Sequence, residues 1–282
     1  MSASPFTLPE CLDQAPAGKI AVVLPEQNIS VTYGALRARV QAVAEQLAAA
    51  GVGRGDRVAT ALTNGLPAIV SLLAAGAVGT AAPLNPASTE DEFRFYLEHT
   101  AAKLLLMPSD GADDARRAAV ACAVPILSID MDATGTVSLT SARSASLPAE
   151  RVPRKPFTAP TIDDVALVLH TSGSTGRPKR VALKHANLSI SAQNVARSYA
   201  LSKDDVSLCV MPLFHVHGLV ASMLATFATG GTVVVPARFR PCRFGGPRVT
   251  TASPGIRRRR RCTSCCWRAP AIRRIQLGVR PA

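Results

Sequence analysis

Residues 165–184 read VALVLHTSGSTGRPKRVALK, and this stretch decides the fold. The apolar run 165–170 has the length and β-branched content of a buried strand. It stops at a loop, 171–179, that gathers four hydroxyls, two glycines and a lysine. A second short strand is predicted over 181–184. A flexible linker does not fit the pattern, because linkers seldom start at the end of an apolar strand or close on Pro-Lys.

Working outward, a helix is predicted over 187–199, a strand over 206–211, a helix over about 218–228 and a strand over 232–236. Upstream, Thr32 can cap a helix running to about Ala50, with Leu36, Val40, Val43 and Leu47 spaced along one face. Gly51, Gly53 and Gly55 end it. Then come a strand over 57–62, a helix over 66–75, a strand ending near Pro83, a helix over 90–99, a strand over 103–107, a helix over 113–123 and a strand over 125–129. Residues 131–163 are rich in Ser, Ala, Pro and Thr and read as a mostly irregular connection. The alternation predicts an α/β chain, doubly wound around largely parallel sheets. No fixed-period repeat is evident. The apolar stretch 66–84 is interrupted by Pro67, Gly76, Gly79 and Pro83, so it reads as a buried helix running into a buried strand and not as a membrane span.

The loop chemistry follows from residue types. Glycines let the backbone approach a ligand, successive N–H groups form an anion-binding concavity, and hydroxyls add donors. Lys179 supplies a point charge suited to phosphate. No Gly-Lys-Ser/Thr closes the loop, so it is not a Walker A loop.

The segment LVLHTSGSTGRPKRVALKHANL, residues 167–188, resembles the phosphate-binding signature of the adenylate-forming (AMP-binding) acyl-CoA synthetases. A second motif of that family, Met211-Pro212-Leu213-Phe214-His215-Val216-His217-Gly218, lies at the expected distance, and residues 31–65 are similar to its N-terminal region. The PLFHVHGL form is most similar to the oxalate–CoA ligase branch. The resemblance covers residues 8–240 as a partial AMP-binding N-terminal domain. It implies ATP-dependent acid–CoA ligation: a carboxylate attacks the α-phosphate, pyrophosphate leaves, and CoA takes the acyl group. It implies ATP, Mg and CoA as cofactors, and a small carboxylic acid, oxalate favoured, as partner. Thr171, Ser172, Gly173, Ser174, Thr175, Gly176 and Lys179 would hold the phosphates, and His215, with His217, would meet the acid and adenylate. His170 and His185 read as structural. The family usually has Gly after the loop lysine; Arg180 stands here, where it could crowd the turn or point to solvent.

Charge is distributed unevenly. The chain of 282 residues carries 32 basic and 19 acidic residues, net +13, yet 13 of the arginines and no Asp, Glu or Lys fall in residues 238–282. The body is neutral, so the basic excess is no general sign of a nucleic-acid partner. Residues 241–282 read as an Arg/Cys-rich, out-of-frame and disordered tail. They lack the magnesium acid, the ribose acid and the C-terminal lysine that the family needs, so the complete catalytic set is absent and the chain itself is expected to be inactive. Shifting the frame by one base permits W-Y-T-A-A-P-T-V-H-Q-L-L-L-A across residues 254–268, similar to the next motif of the branch. A frameshift between about Arg238 and Phe244 is therefore expected.

Cys262, Cys265 and Cys266 resemble a metal half-site with no second pair, so no metal site is expected. The run 257–261 would bind RNA only nonspecifically. The N-terminus lacks a basic then apolar leader, which suggests a cytoplasmic protein, although a full-length relative could be peroxisomal. Two alternatives stay open: a fragment of a medium- or long-chain acyl-CoA synthetase, and a noncatalytic phosphate-binding module with a basic, nucleic-acid-contacting tail.

Overall fold

The expected elements begin at Thr32, but strand pairing begins earlier. The run IAVVL forms β1 (Ile20–Leu24), which turns through Asn28 (φ +54°) into the antiparallel β2 (Ile29–Thr32). The structure, a computed structural model, describes residues 4–141, 153–171 and 178–237. The tail 241–282, with its clustered cysteines and arginines, lies outside the described residues.

Thr32 ends β2 and caps α1 (Tyr33–Ala49): its hydroxyl accepts the Ala35 N–H at 3.2 Å, satisfying one of the orphan donors of the first turn. Leu36, Val40, Val43 and Leu47 form the buried face, as their spacing predicts. Gly51 and Gly55 take positive φ (+88° and +83°) and turn the chain into β3 (Arg57–Thr60).

The helix predicted to stop at Ala75 runs on as α2 (Leu66–Val78), then enters β4 (Thr80–Pro83). Gly76 lies within α2 at a close approach to Leu8: a Cβ there would lie 2.7 Å from Leu8 Cδ1. All but Pro67 of α2 is buried, and each large apolar side chain contributes about 1.5–3 kcal/mol by leaving water. No helix of the described residues is long and apolar enough to cross a membrane.

Next comes α3 (Glu90–Thr100), started by a reciprocal box in which Thr89 N–H donates to Glu92 at 2.8 Å and the Glu92 N–H donates back to the Thr89 hydroxyl at 3.4 Å. It is followed by β5 (Leu104–Met107), α4 (Asp113–Ala121) and β6 (Ile126–Met131). The connection 131–163 is not wholly irregular: β7 (Val137–Ser141) pairs antiparallel to β6, alternating buried Val137 and Leu139 with more exposed Ser138 and Thr140. The Asp132 carboxylate accepts the Thr134 and Thr136 N–H groups and so builds the turn into it.

β8 (Val165–Thr171), β9 (Lys179–Lys184) and α5 (His185–Ser198) complete a seven-stranded sheet of order β7-β6-β5-β3-β4-β8-β9. Its inner five strands are parallel, and its two edge strands are antiparallel. The chain leaves β3 to one side for β4 and returns to the other for β5, so the sheet's switch point lies between β3 and β5.

β10 (Val206–Leu208) and β11 (Thr232–Val234) do not extend this sheet. They build a separate four-stranded sheet, β10-β11-β1-β2, parallel except for β2. Between them the helix predicted over 218–228 winds as a π-helix, His217–Leu224, and ends in one α-turn, Ala225–Phe227.

Candidate active site

The β8–β9 pairing fixes the two ends of the glycine loop. Thr171 and Lys179 are register partners, so they stand opposite each other where the loop leaves and re-enters the sheet. Both are exposed. Ser172, Gly173, Ser174, Thr175 and Gly176 lie outside the described residues. Among the described residues Lys179 has no ion-pair partner, whereas Lys184, at the other end of β9, pairs with Asp163 at 3.1 Å.

One position inward, His170 faces Arg180 across the same ladder. Side chains alternate along a strand, so this pair occupies the face opposite Thr171 and Lys179. The His170 ring packs against Tyr96 (4.7 Å between centroids) and His99 (5.4 Å), both on α3. Burial, then the His99 and Arg180 charges, push the His170 pKa down to about 4. The Arg180 guanidinium donates to the His99 carbonyl at 2.9 Å. The side chain that replaces the family's glycine therefore reaches the C-terminal end of α3, the acceptor-rich end of that helix.

His185 is fully buried, and its Nδ1 accepts the Leu8 N–H at 2.9 Å. Burial pushes its pKa down to about 4. It ties the N-terminal segment to α5, at the opposite end of β9 from Lys179.

The second motif follows β10 as a tight loop. The His215 N–H donates to the Pro212 carbonyl at 3.1 Å, and the Leu219 N–H donates to the His215 carbonyl at 3.1 Å. Gly218 is required by close approach: a Cβ there would sit 2.4 Å from the Pro212 oxygen and 2.6 Å from the Met211 oxygen. Leu213 is buried beneath, while His215 is exposed with its ring 4.5 Å from that of Phe214. His217, the first residue of the π-helix, is half-buried, and its Nε2 has no hydrogen-bond partner among the described residues.

One residue that sequence reading passed over holds this loop. Asn64, in the β3–α2 connection, donates from Nδ2 to the Met211 carbonyl and accepts the Leu213 N–H at Oδ1, each at 2.9 Å. The only local signal is a Thr-Asn-Gly turn, and nothing local points to a partner 147 residues away. Asn64 also lines a crevice of about 530 Å³ at the switch point, outside the carboxyl ends of β3 and β5. Among the described residues that line it are neither Thr171, Lys179 nor His215.

The fold is that of adenylate-forming enzymes. The sequence profile of the AMP-binding enzyme family matches residues 9–254, and the chain belongs to that family. It is 38% identical over 218 residues to an oxalate–CoA ligase of Arabidopsis thaliana, covering 76% of this chain and 41% of that protein. It is 36% identical over 253 residues to an oxalate–CoA ligase of Saccharomyces cerevisiae, covering 80% and 46%. A sulfoacetate–CoA ligase of Cupriavidus necator is 33% identical over 223 residues, covering 78% and 42%. Among solved structures, ATP-bound MatB from Rhodopseudomonas palustris superposes with TM-score 0.70 at 26% identity, covering 85% of this chain and 47% of that one. The chain thus spans less than half the length of these relatives.

Proposed function

We propose that this chain is the N-terminal part of an ATP-dependent acid–CoA ligase, with a small acid such as oxalate as substrate. The observation that carries the reading is the β8–β9 register, which sets exposed Thr171 and Lys179 side by side at the mouth of a Ser/Thr/Gly loop, at the carboxyl end of a parallel sheet. Ligands of open α/β sheets collect at such carboxyl ends. An exposed lysine with no ion-pair partner among the described residues fits a polyphosphate, so the residues present suit ATP.

In this reading Thr171, Ser172, Gly173, Ser174, Thr175, Gly176 and Lys179 hold the β- and γ-phosphates. Bound ATP supplies an electrophilic α-phosphorus and a pyrophosphate leaving group. Displacement at phosphorus needs positioning and charge neutralisation more than covalent help, which Lys179 and the loop donors provide. The exposed His215 imidazole donates a hydrogen bond to the substrate carboxylate and aims it, and His217 supports the same pocket. Among the described residues there is no group of three or more His, Cys, Asp or Glu that could hold a metal; magnesium would be held chiefly by the ATP phosphates, whose charge it would help to neutralise. CoA enters the second step, after the adenylate has formed. The oxalate preference is supported by the two oxalate–CoA ligase relatives. A cytoplasmic or peroxisomal setting suits such an enzyme.

We further propose that residues 8–240 are the family domain, that residues 241–282 are read out of frame, and that the 282-residue chain alone does not turn over. Acid-dependent ATP–pyrophosphate exchange tests this. The chain should show none, and the product of the restored frame should show exchange with oxalate above that with fatty acids. Robust exchange by the 282-residue chain, or a restored product that uses long-chain acids only, would overturn the reading.

A further inference from the structure

We propose that Asn64 is a positioning residue for the His215 loop, a role that rests on the assignment of His215 to the acid. Three observations lead there. First, the contact is two-pronged: one planar amide bonds the carbonyl of Met211 and the N–H of Leu213, each at 2.9 Å. Pro212 stands between them and has no N–H, so this stretch cannot be held by a regular strand partner along its length. A short side chain carrying both a donor and an acceptor replaces that partner.

Second, the next residues leave the loop little freedom once this point is fixed. The Pro212 carbonyl takes the His215 N–H, and both the Met211 and Pro212 carbonyls lie against Gly218, with no room for a side chain there. His215 is three residues from Pro212 and sits outside the buried Leu213. Its place therefore follows from where Asn64 puts Met211 and Leu213.

Third, Asn64 belongs to the other sheet. It follows β3 of the seven-stranded sheet, whereas Met211 follows β10 of the four-stranded sheet. β8, which carries Thr171, lies in the seven-stranded sheet two places from β3. Asn64 thus registers the loop assigned to the acid against the sheet assigned to the phosphates. Near-attack alignment of carboxylate and α-phosphate requires that kind of registry.

The test uses the full 282-residue chain with ring-labelled histidines, comparing wild type, Asn64→Ala and Asn64→Asp by NMR. The alanine variant removes both bonds. It should speed exchange of the Leu213 amide at least tenfold and displace the His215 and His217 ring signals. The aspartate variant keeps the acceptor and loses the donor, so Leu213 protection should stay within about threefold while the His215 signal still moves. The ring signals of His170 and His185 should stay in place. So should protection of the Leu105 amide, bonded to Pro125, and the Val235 amide, bonded to Val23.

Unmoved His215 and His217 signals in the alanine variant would overturn the proposal. So would a proportional loss of protection at Leu213, Leu105 and Val235, which marks general loosening. Adding ATP and oxalate to wild type reads the functional assignment separately. If His215 ignores both ligands yet still depends on Asn64, the acid-binding reading fails and the positioning role stands.

Discussion

Removing the titratable ring of His185 should make the protein less sensitive to acid. The imidazole is fully buried, accepts the Leu8 N–H at 2.9 Å, and has its pKa lowered from 6.5 to about 4, chiefly by burial. The unfolded chain therefore binds a proton at a pH where the folded one does not. The stabilisation is complete above about pH 6.5 and drains away as the pH falls from there toward 4. With those two values, linkage gives a loss of about 2 kcal/mol between pH 7.5 and pH 5 from this group alone. His185→Asn places an acceptor where Nδ1 stood but cannot titrate. Urea unfolding of both proteins at pH 7.5, 6 and 5 should show the wild type losing about 2 kcal/mol more than the variant. His170, lowered to about 4 in the same direction, is present in both proteins and cancels in the difference. Parallel losses in the two proteins would refute the assignment of a buried neutral imidazole at this position.

Further consequences are local. Gly218→Ala should cost at least about 2 kcal/mol and displace the 211–218 loop, because the new Cβ meets backbone oxygens and no flexible side-chain end could yield; thermal unfolding and the His215 ring signal read both effects. Tyr33→Phe should cost about 1–3 kcal/mol in urea unfolding, since the phenol is buried and its O–H donates to the Gly231 carbonyl at 2.6 Å, which would be left unsatisfied. Arg180→Gly, which restores the residue usual in the family, should change ATP affinity less than threefold in a calorimetric titration, because the guanidinium faces His99 on the side of the sheet away from Lys179.

Legibility of the fold tracked how local each cause was. α1 was readable to within a residue because its cap and its buried face are both written in nearby positions, Thr32 and the spacing from Leu36 to Leu47. The end of α2 was not, because Gly76 reads locally as a helix breaker, and its close approach to Leu8 involves a residue far away in sequence. β1 and β2 are short, and the local cue for their hairpin is a single residue, Asn28, in the left-handed region. β7 hides in a Ser/Thr-rich stretch, where a clean two-residue alternation was outweighed by composition. In the candidate site, the loop signature and the His215 motif were visible because each is contiguous. Asn64 was not, since its meaning lies in a pairing across the two sheets.

The central claim is that the Thr171–Lys179 loop holds a polyphosphate, and a calorimetric titration of the 282-residue chain with ATP and with AMP tests it most directly. A charge-assisted contact of about 1.5–3 kcal/mol predicts that Lys179→Ala weakens ATP binding roughly ten- to hundredfold and AMP binding far less. Lys184→Ala, on the same strand but paired with Asp163, should leave ATP affinity unchanged. No ATP binding by the wild type, or equal ATP affinity in the Lys179 and Lys184 variants, would contradict the account.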